Sequence, residues 1–260
     1  MTETASRFAW PAGQRAAVSL SFDDARTSQV DCGLPLLDTH GVKATFYVSL
    51  AGLEQRLDGW RRAVGAGHEI GNHTVTHPCS GNFAFARQNA LEDYSLARMA
   101  QEITAANERL QSLLGVRPTT FAYPCGQTYI GRGRSLRSYV PLVARHFLAG
   151  RGFRNEVAND PLRCDLAQLN ACVCDALGFS TLRWMVDGAI EEGRWLILAG
   201  HDVGNAEARQ MTRTDALTEL CRYCRQRAAD LWVDTVSAVA AHVQRAARQV
   251  NRHRETDKEQ

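Results

Sequence analysis

What most constrains this chain is an alternation of short, largely apolar runs with longer stretches of helical periodicity, repeated seven or eight times along 260 residues. Runs such as AAVSLSF and RWLILAG are of strand length and carry almost no charge. Strands of that kind are buried on both faces, and strands separated by helices pair in parallel because each helix carries the chain back to the same edge. Strands are predicted at 16–22, 43–49, 68–73, 119–124, 147–153, 170–177, 194–200 and 231–235. Helices are predicted at 30–40, 53–64, 87–113, 137–145, 180–192, 211–229 and 235–248. The expected fold is α/β, a single distorted (β/α) barrel of seven or eight repeats.

The clearest helix is LARMAQEITAANERLQSLL, which repeats apolar residues at three- and four-residue spacing. Gly115 and Pro118 then supply a C-terminal cap and a stop. With 45% of residues apolar, one large core can be filled. No linker, repeat or low-complexity tract divides the chain. Residues 1–15 read as an N-terminal extension, 16–248 as the barrel and 249–260 as a polar tail.

A formal net charge of +2 provides no field for nucleic acid or an anionic membrane surface, and neither is expected as a partner. No run approaches the length needed to span a bilayer. The first twenty residues lack a basic start followed by an apolar stretch of signal length. The expected location is therefore cytoplasmic, or secreted if a leader has been trimmed. Eight cysteines could suit a disulfide framework, but a chain of this size does not need such staples. Reduced thiols are expected. Cys221 and Cys224 form a CxxC within a helical pattern, and a structural zinc shared with Cys172 and Cys174 is the alternative.

In parallel barrels, reactive groups collect at the C-terminal ends of strands. Asp23 and Asp24 follow the first predicted strand, His73 and His77 the third, and the YPCG stretch the fourth. Arg151 falls at the end of the fifth, and His201 follows WLILAG. Five strands thus bring polar or unusual groups to one rim.

Adjacent acids leaving a buried strand raise one another's pKa, and a cation relieves that repulsion. His73 and His77, four residues apart, would present both rings on one side of a helical turn. Two imidazoles and one carboxylate leave coordination positions open, as a catalytic metal requires. Asp24 is assigned to the metal with His73 and His77, and Asp23 to the water as general base. His201 is placed to protonate a leaving group. Zn²⁺ is the expected ion, with Co²⁺, Ni²⁺ or Mn²⁺ accepted by the same borderline ligands. His40, His68, His146, His242 and His253 lack such company and are read as structural or exposed.

With these residues in hand, the chain resembles carbohydrate esterase family 4, the polysaccharide deacetylases. SFDDA is similar to that family's Thr-Phe-Asp-Asp-Gly motif, HTVTH matches its His-Ser/Thr-x-x-His motif, and LILAGH resembles its Leu-x-His motif. Their order and spacing agree from about residue 16 to 245. The resemblance implies a distorted barrel that removes acetyl groups from N- or O-acetylated sugars with a divalent metal, and an acetylated oligo- or polysaccharide as substrate. In a cytoplasmic protein an oligosaccharide or sugar conjugate is favoured over a cell-wall polymer.

Two departures stand out. The family's Arg-x-Pro-Tyr motif is here Ala122-Tyr123-Pro124-Cys125, so the arginine that orients the base is absent. The tyrosine acts on the oxyanion through its backbone N–H, which Cys125 retains. Arg151, flanked by Gly150 and Gly152 at the same rim, is the proposed replacement because its planar fork can grip a carboxylate, with Arg154 and Arg163 the next candidates. The family's Asp-x-x-Asp-Trp segment is not recognisable. Rival readings are an amidohydrolase acting on a small non-sugar amide and a glycan-binding barrel with catalysis lost. Cys125 as a nucleophile is disfavoured, since no activating base lies near it in sequence.

Overall fold

A computed structural model describes residues 8–256, with side chains through Gln249. The first seven residues of the predicted extension and the last four of the predicted tail lie outside the described residues. All eight predicted strands form. They are β1 (Ala16–Asp23), β2 (Thr45–Val48), β3 (Glu69–Asn72), β4 (Thr120–Ala122), β7 (Ala149–Arg151), β8 (Cys172–Val173), β9 (Trp195–Gly200) and β12 (Leu231–Val233). Four short strands sit in the rim loops. β5 (Tyr129–Ile130) pairs antiparallel with β6 (Arg137–Ser138), and β10 (Asp202–Gly204) pairs with β11 (Met211–Arg213).

The main sheet is parallel throughout, in the order β7-β4-β3-β2-β1-β9-β8, with β12 beside the first half of β1. Arg151 at the end of β7 also pairs with Leu169, three residues before β8. The stretch from Leu169 to Val173 therefore touches both ends of the sheet and curls it into a barrel. Around it lie α1 (Leu34–Thr39), α2 (Leu50–Glu54), α3 (Leu57–Gly65), α4 (Leu96–Leu114), α5 (Val140–His146), α6 (Phe179–Glu192), α7 (Thr214–Gln226) and α8 (Val236–Thr256).

Side chains alternate across a strand, and the alternation sorts the core. In β1, Ala16, Val18, Leu20 and Phe22 pack outward with Leu182, Leu217 and Leu220 of the helices. In β9, Leu196 and Leu198 join them, whereas Trp195, Ile197 and Ala199 pack with Ala17, Ala149 and Val239 in a second cluster. Ser19 and Ser21 share the parity of Ala17 and are satisfied by β9: Trp195 Nε1 donates to Ser19 Oγ and Ser21 Oγ donates to the Leu198 carbonyl. Asp23 and Arg151 have the same inward parity as Ala17 and Ala149, which aims both side chains into the barrel mouth.

Helix boundaries shift where local chemistry overrides periodicity. The helix predicted from residue 87 begins at Leu96, because Ser95 Oγ accepts the Arg98 N–H as its N-cap, and only short 3₁₀ turns precede it. Its C-terminal end is as predicted, with Gly115 in the left-handed conformation (φ 70°). Residues 211–213, predicted as helix, pair with β10 instead, so α7 starts at Thr214. The last helix runs past residue 248 to Thr256.

The expectation of reduced thiols fails at one pair and holds at another. Cys79 and Cys125 form a disulfide between the loops after β3 and β4, with Cα atoms 6.3 Å apart. Sequence separation concealed it, because the two cysteines are 46 positions apart with α4 and β4 between them. A sulfur so bonded is not a nucleophile. Cys221 and Cys224 face the core from α7 as buried thiols, and burial pushes both up to about 12. Among the described residues they belong to no cluster of metal-ligating atoms with Cys172 and Cys174. Among the described residues no helix is long and apolar enough to cross a membrane.

Candidate active site

The rim loops enclose a cleft of about 490 Å³ lined by Asp23, Asp24, His77, Cys125, Phe153 and His201, with Phe83 and Phe85 exposed at its mouth. Asp24 directly follows β1 with left-handed backbone (φ 75°), which turns its side chain away from Asp23 and toward the histidines. Asp24 Oδ1 lies 3.6 Å from His73 Nε2 and 3.5 Å from His77 Nε2. Two atoms each about 2.1 Å from a shared tetrahedral ion are roughly 3.4 Å apart, so these spacings fit a first-row divalent ion. His73 Nδ1–H donates to the Ala122 carbonyl at 2.9 Å, which leaves Nε2 with its lone pair free to bind metal.

The two rings do not ride on a helical turn, as their spacing suggested. Thr74 (φ 65°) and His77 (φ 51°) are both left-handed, and the loop is held from outside. Glu102 on α4 accepts the N–H groups of Val75 and Thr76, and Asn72 Oδ1 accepts that of Thr74. Burial works to raise the Asp24 pKa, but the hydrogen bond and charge of His73, with the charge of His77, hold it well below the usual carboxylate range. His77 is pushed down to about 4 by burial and by the neighbouring charge of His73.

Asp23 is met from the far side of the barrel. The buried Arg151 donates from Nη2 to Asp23 Oδ1 and from Nη1 to the Gly152 carbonyl, and its guanidinium lies over the Tyr47 ring at 4.6 Å. The backbone around it is tied by Gln29, whose Nε2 donates to the carbonyls of both Asp23 and His201. His201 in turn is clamped by Asp175. Its N–H donates to Asp175 Oδ1, and its Nδ1–H lies 2.6 Å from Asp175 Oδ2, with Thr212 Oγ1 also donating to that carboxylate. Burial opposes charge on His201, but the Asp175 hydrogen bond and the charges of Asp23, Asp175 and Asp24 raise its pKa above the ordinary value.

The structure thus brings Asp23, Asp24, His77, Cys125 and His201 to one cleft, with His73 buried behind Asp24 and Arg151 behind Asp23. Tyr123 is not among them: its hydroxyl donates to the Ala167 carbonyl inside a separate aromatic cluster with Phe121 and Tyr139. Sequence reasoning missed Asp175, although the same rim rule could have found it two residues after β8. It also missed Gln29, Glu102 and Arg26, which act through contacts that no local pattern announces. Arg26 Nη2 donates to Asp24 Oδ2 at 3.0 Å, on the side of the carboxylate away from the histidines.

The chain is similar to known proteins both in sequence and in fold. The sequence profile described as polysaccharide deacetylase matches residues 11–136. A peptidoglycan N-acetylglucosamine deacetylase from Listeria monocytogenes is 31% identical over 110 residues, which is 42% of this chain and 21% of that protein. A gellan lyase from a Bacillus species is 30% identical over 143 residues, 55% of this chain and 5% of that protein. The chain therefore spans a small fraction of the length of these relatives. In fold it is similar to a candidate polysaccharide deacetylase from Mycobacterium smegmatis, with TM-score 0.66 and 19% identity over 92% of this chain and 94% of that one. The matched profile contains the Asp23–Asp24 and His73–His77 pairs, and the similar fold extends over 92% of this chain; in sequence over residues 11–136, and in fold, this chain is similar to the polysaccharide deacetylases.

Proposed function

We propose that this protein hydrolyses acetyl groups from N- or O-acetylated sugars, with a divalent ion, Zn²⁺ first among the candidates, held by Asp24, His73 and His77. The observation that carries this reading is the convergence, in one cleft, of three separately fixed units: the ligand triad, Asp23 with Arg151, and His201 with Asp175. An ion at the triad would supply Lewis acidity to the acetyl carbonyl and to the attacking water.

The remaining chemistry falls to the chain's own residues. Asp23 takes the proton of the attacking water as general base, and Arg151 holds its carboxylate in a single orientation. The Cys125 N–H faces the developing oxyanion. His201 gives a proton from Nε2 to the departing amine or alcohol, while Asp175 holds its Nδ1–H and favours the protonated ring. Phe83 and Phe85 present apolar faces at the cleft mouth, suited to a sugar ring more than to a small amide without one.

The altered third motif, with Ala122 in place of an arginine, favours a silent, glycan-binding barrel. Arg151 reaching Asp23 supports an active enzyme instead, since the base has a cationic partner despite Ala122. Acetate release from a panel of N-acetylated and O-acetylated oligosaccharides, with and without added Zn²⁺, tests the proposal. Absence of release from every sugar, by metal-loaded and correctly folded protein, would overturn it.

A further inference from the structure

The His77 ring stands between two sets of potential ligands. Its Nε2 lies 3.5 Å from Asp24 Oδ1, and its Nδ1 lies 3.6 Å from Cys79 Sγ. One ligand atom from each of His77, Cys79 and Cys125 falls within 4.8 Å of the others, as do those of Asp24, His73 and His77. Cys79 and Cys125 are spent in their disulfide, so their sulfurs are unavailable as thiolates.

We propose that the Cys79–Cys125 disulfide masks a second metal site, made of the two thiolates and His77 Nδ1, which takes a thiophilic divalent ion such as Zn²⁺ once the disulfide is reduced. Thiolate and imidazole together are a common zinc donor set, and thiolates hold zinc more firmly than a carboxylate does. Two thiolates about 2.3 Å from one tetrahedral ion stand roughly 3.7 Å apart, further than bonded sulfurs, and the 6.3 Å between the Cα atoms leaves room for that spread.

The chemistry balances with a small dithiol as reductant. The dithiol gives two electrons and two protons, breaking the S–S bond into two thiols, and closes into its own cyclic disulfide. Ion binding then displaces the two thiol protons to solvent. Cys125 lines the open cleft, so the reductant has access.

Sharing His77 makes the two sites compete. A neutral imidazole has one lone pair. With Nε2 turned to Asp24 and His73, Nδ1–H points at Cys79; with Nδ1 bound to an ion, Nε2 carries the proton and is lost to the first set. In so far as the Asp24–His73–His77 triad is the catalytic site, an inference resting on the function proposed above, reduction both builds the thiolate site and removes a catalytic ligand. A reducing surrounding would divert the ion, and an oxidising one would return it.

Co²⁺ alone is a suitable probe, because thiolate ligation gives it a near-ultraviolet charge-transfer band that nitrogen and oxygen ligands do not. Wild-type protein is titrated with Co²⁺ as isolated, and again after dithiothreitol treatment and anaerobic desalting, with alkylation and mass analysis verifying that Cys79 and Cys125 are free. The band is expected only in the reduced protein, at about one equivalent. It should persist in reduced His73→Ala, where the first ligand set is broken, and vanish in Cys79→Ser and in Cys125→Ser. The same band in those serine variants would assign it to other thiols and overturn the proposal, as would its absence from reduced wild type. If the oxidised protein binds no Co²⁺ while the reduced protein shows the band, the catalytic triad reading fails and the masked site stands.

Discussion

Arg151, at the end of β7, and Asp23, at the end of β1, meet across the barrel mouth as a buried ion pair, although four strand-to-strand steps separate them along the sheet. A buried arginine without a partner would cost several kcal/mol, so this pair must form whenever the barrel closes. Stacking on Tyr47 and the bond to the Gly152 carbonyl fix the guanidinium plane, and with it the direction in which Asp23 faces the cleft.

Arg151→Lys should therefore lower turnover by about 10-fold to 10²-fold, within the contribution of a well-placed general base, while metal content stays the same. Lysine keeps the charge but not the planar fork. Steady-state kinetics together with elemental analysis checks both halves, and wild-type turnover would remove Arg151 from any positioning role.

Asp23→Asn should keep the ion and lose turnover by about 10²-fold or more, because an amide cannot accept the proton of water. Loss of the ion in this variant would mean that Asp23, not only Asp24, ligates it. Metal analysis on the purified variant decides between them.

His77→Ala should abolish stoichiometric binding while circular dichroism shows the barrel intact. Free ion at about 100 times its Kd stabilises a protein by about 2.7 kcal/mol, so Zn²⁺ should raise the melting temperature of the wild type but not of this variant. Equal thermal shifts in the two proteins would place the ion elsewhere.

Asp175→Asn should move the basic limb of the pH–rate profile to lower pH. His201 must be protonated to act as an acid, so activity falls as pH rises through its pKa. Asp175 raises that pKa, and neutralising it lowers the pKa and brings the fall earlier. His201→Ala should harm amides more than activated esters, since an amine leaves only when protonated. An unmoved basic limb in Asp175→Asn would detach this pair from proton delivery.

The strands, their parallel pairing and the gathering of Asp23, Asp24, His73, His77 and His201 at one rim follow from the sequence alone. Apolar periodicity and the C-terminal-end rule act within short windows, and a short window holds all the information they need. Arg151 shares the parity of Ala149, two residues before it, but that this parity faces inward was decided by the structure. What the tertiary structure decided is everything made by residues far apart in the chain. The Cys79–Cys125 disulfide, the Asp175–His201 clamp, the tie of Gln29 to two carbonyls and the support of the histidine loop by Glu102 each join different β/α units. The distance between such residues is set by barrel closure and by left-handed turns at Asp24, Thr74 and His77, which no local pattern of residue types encodes.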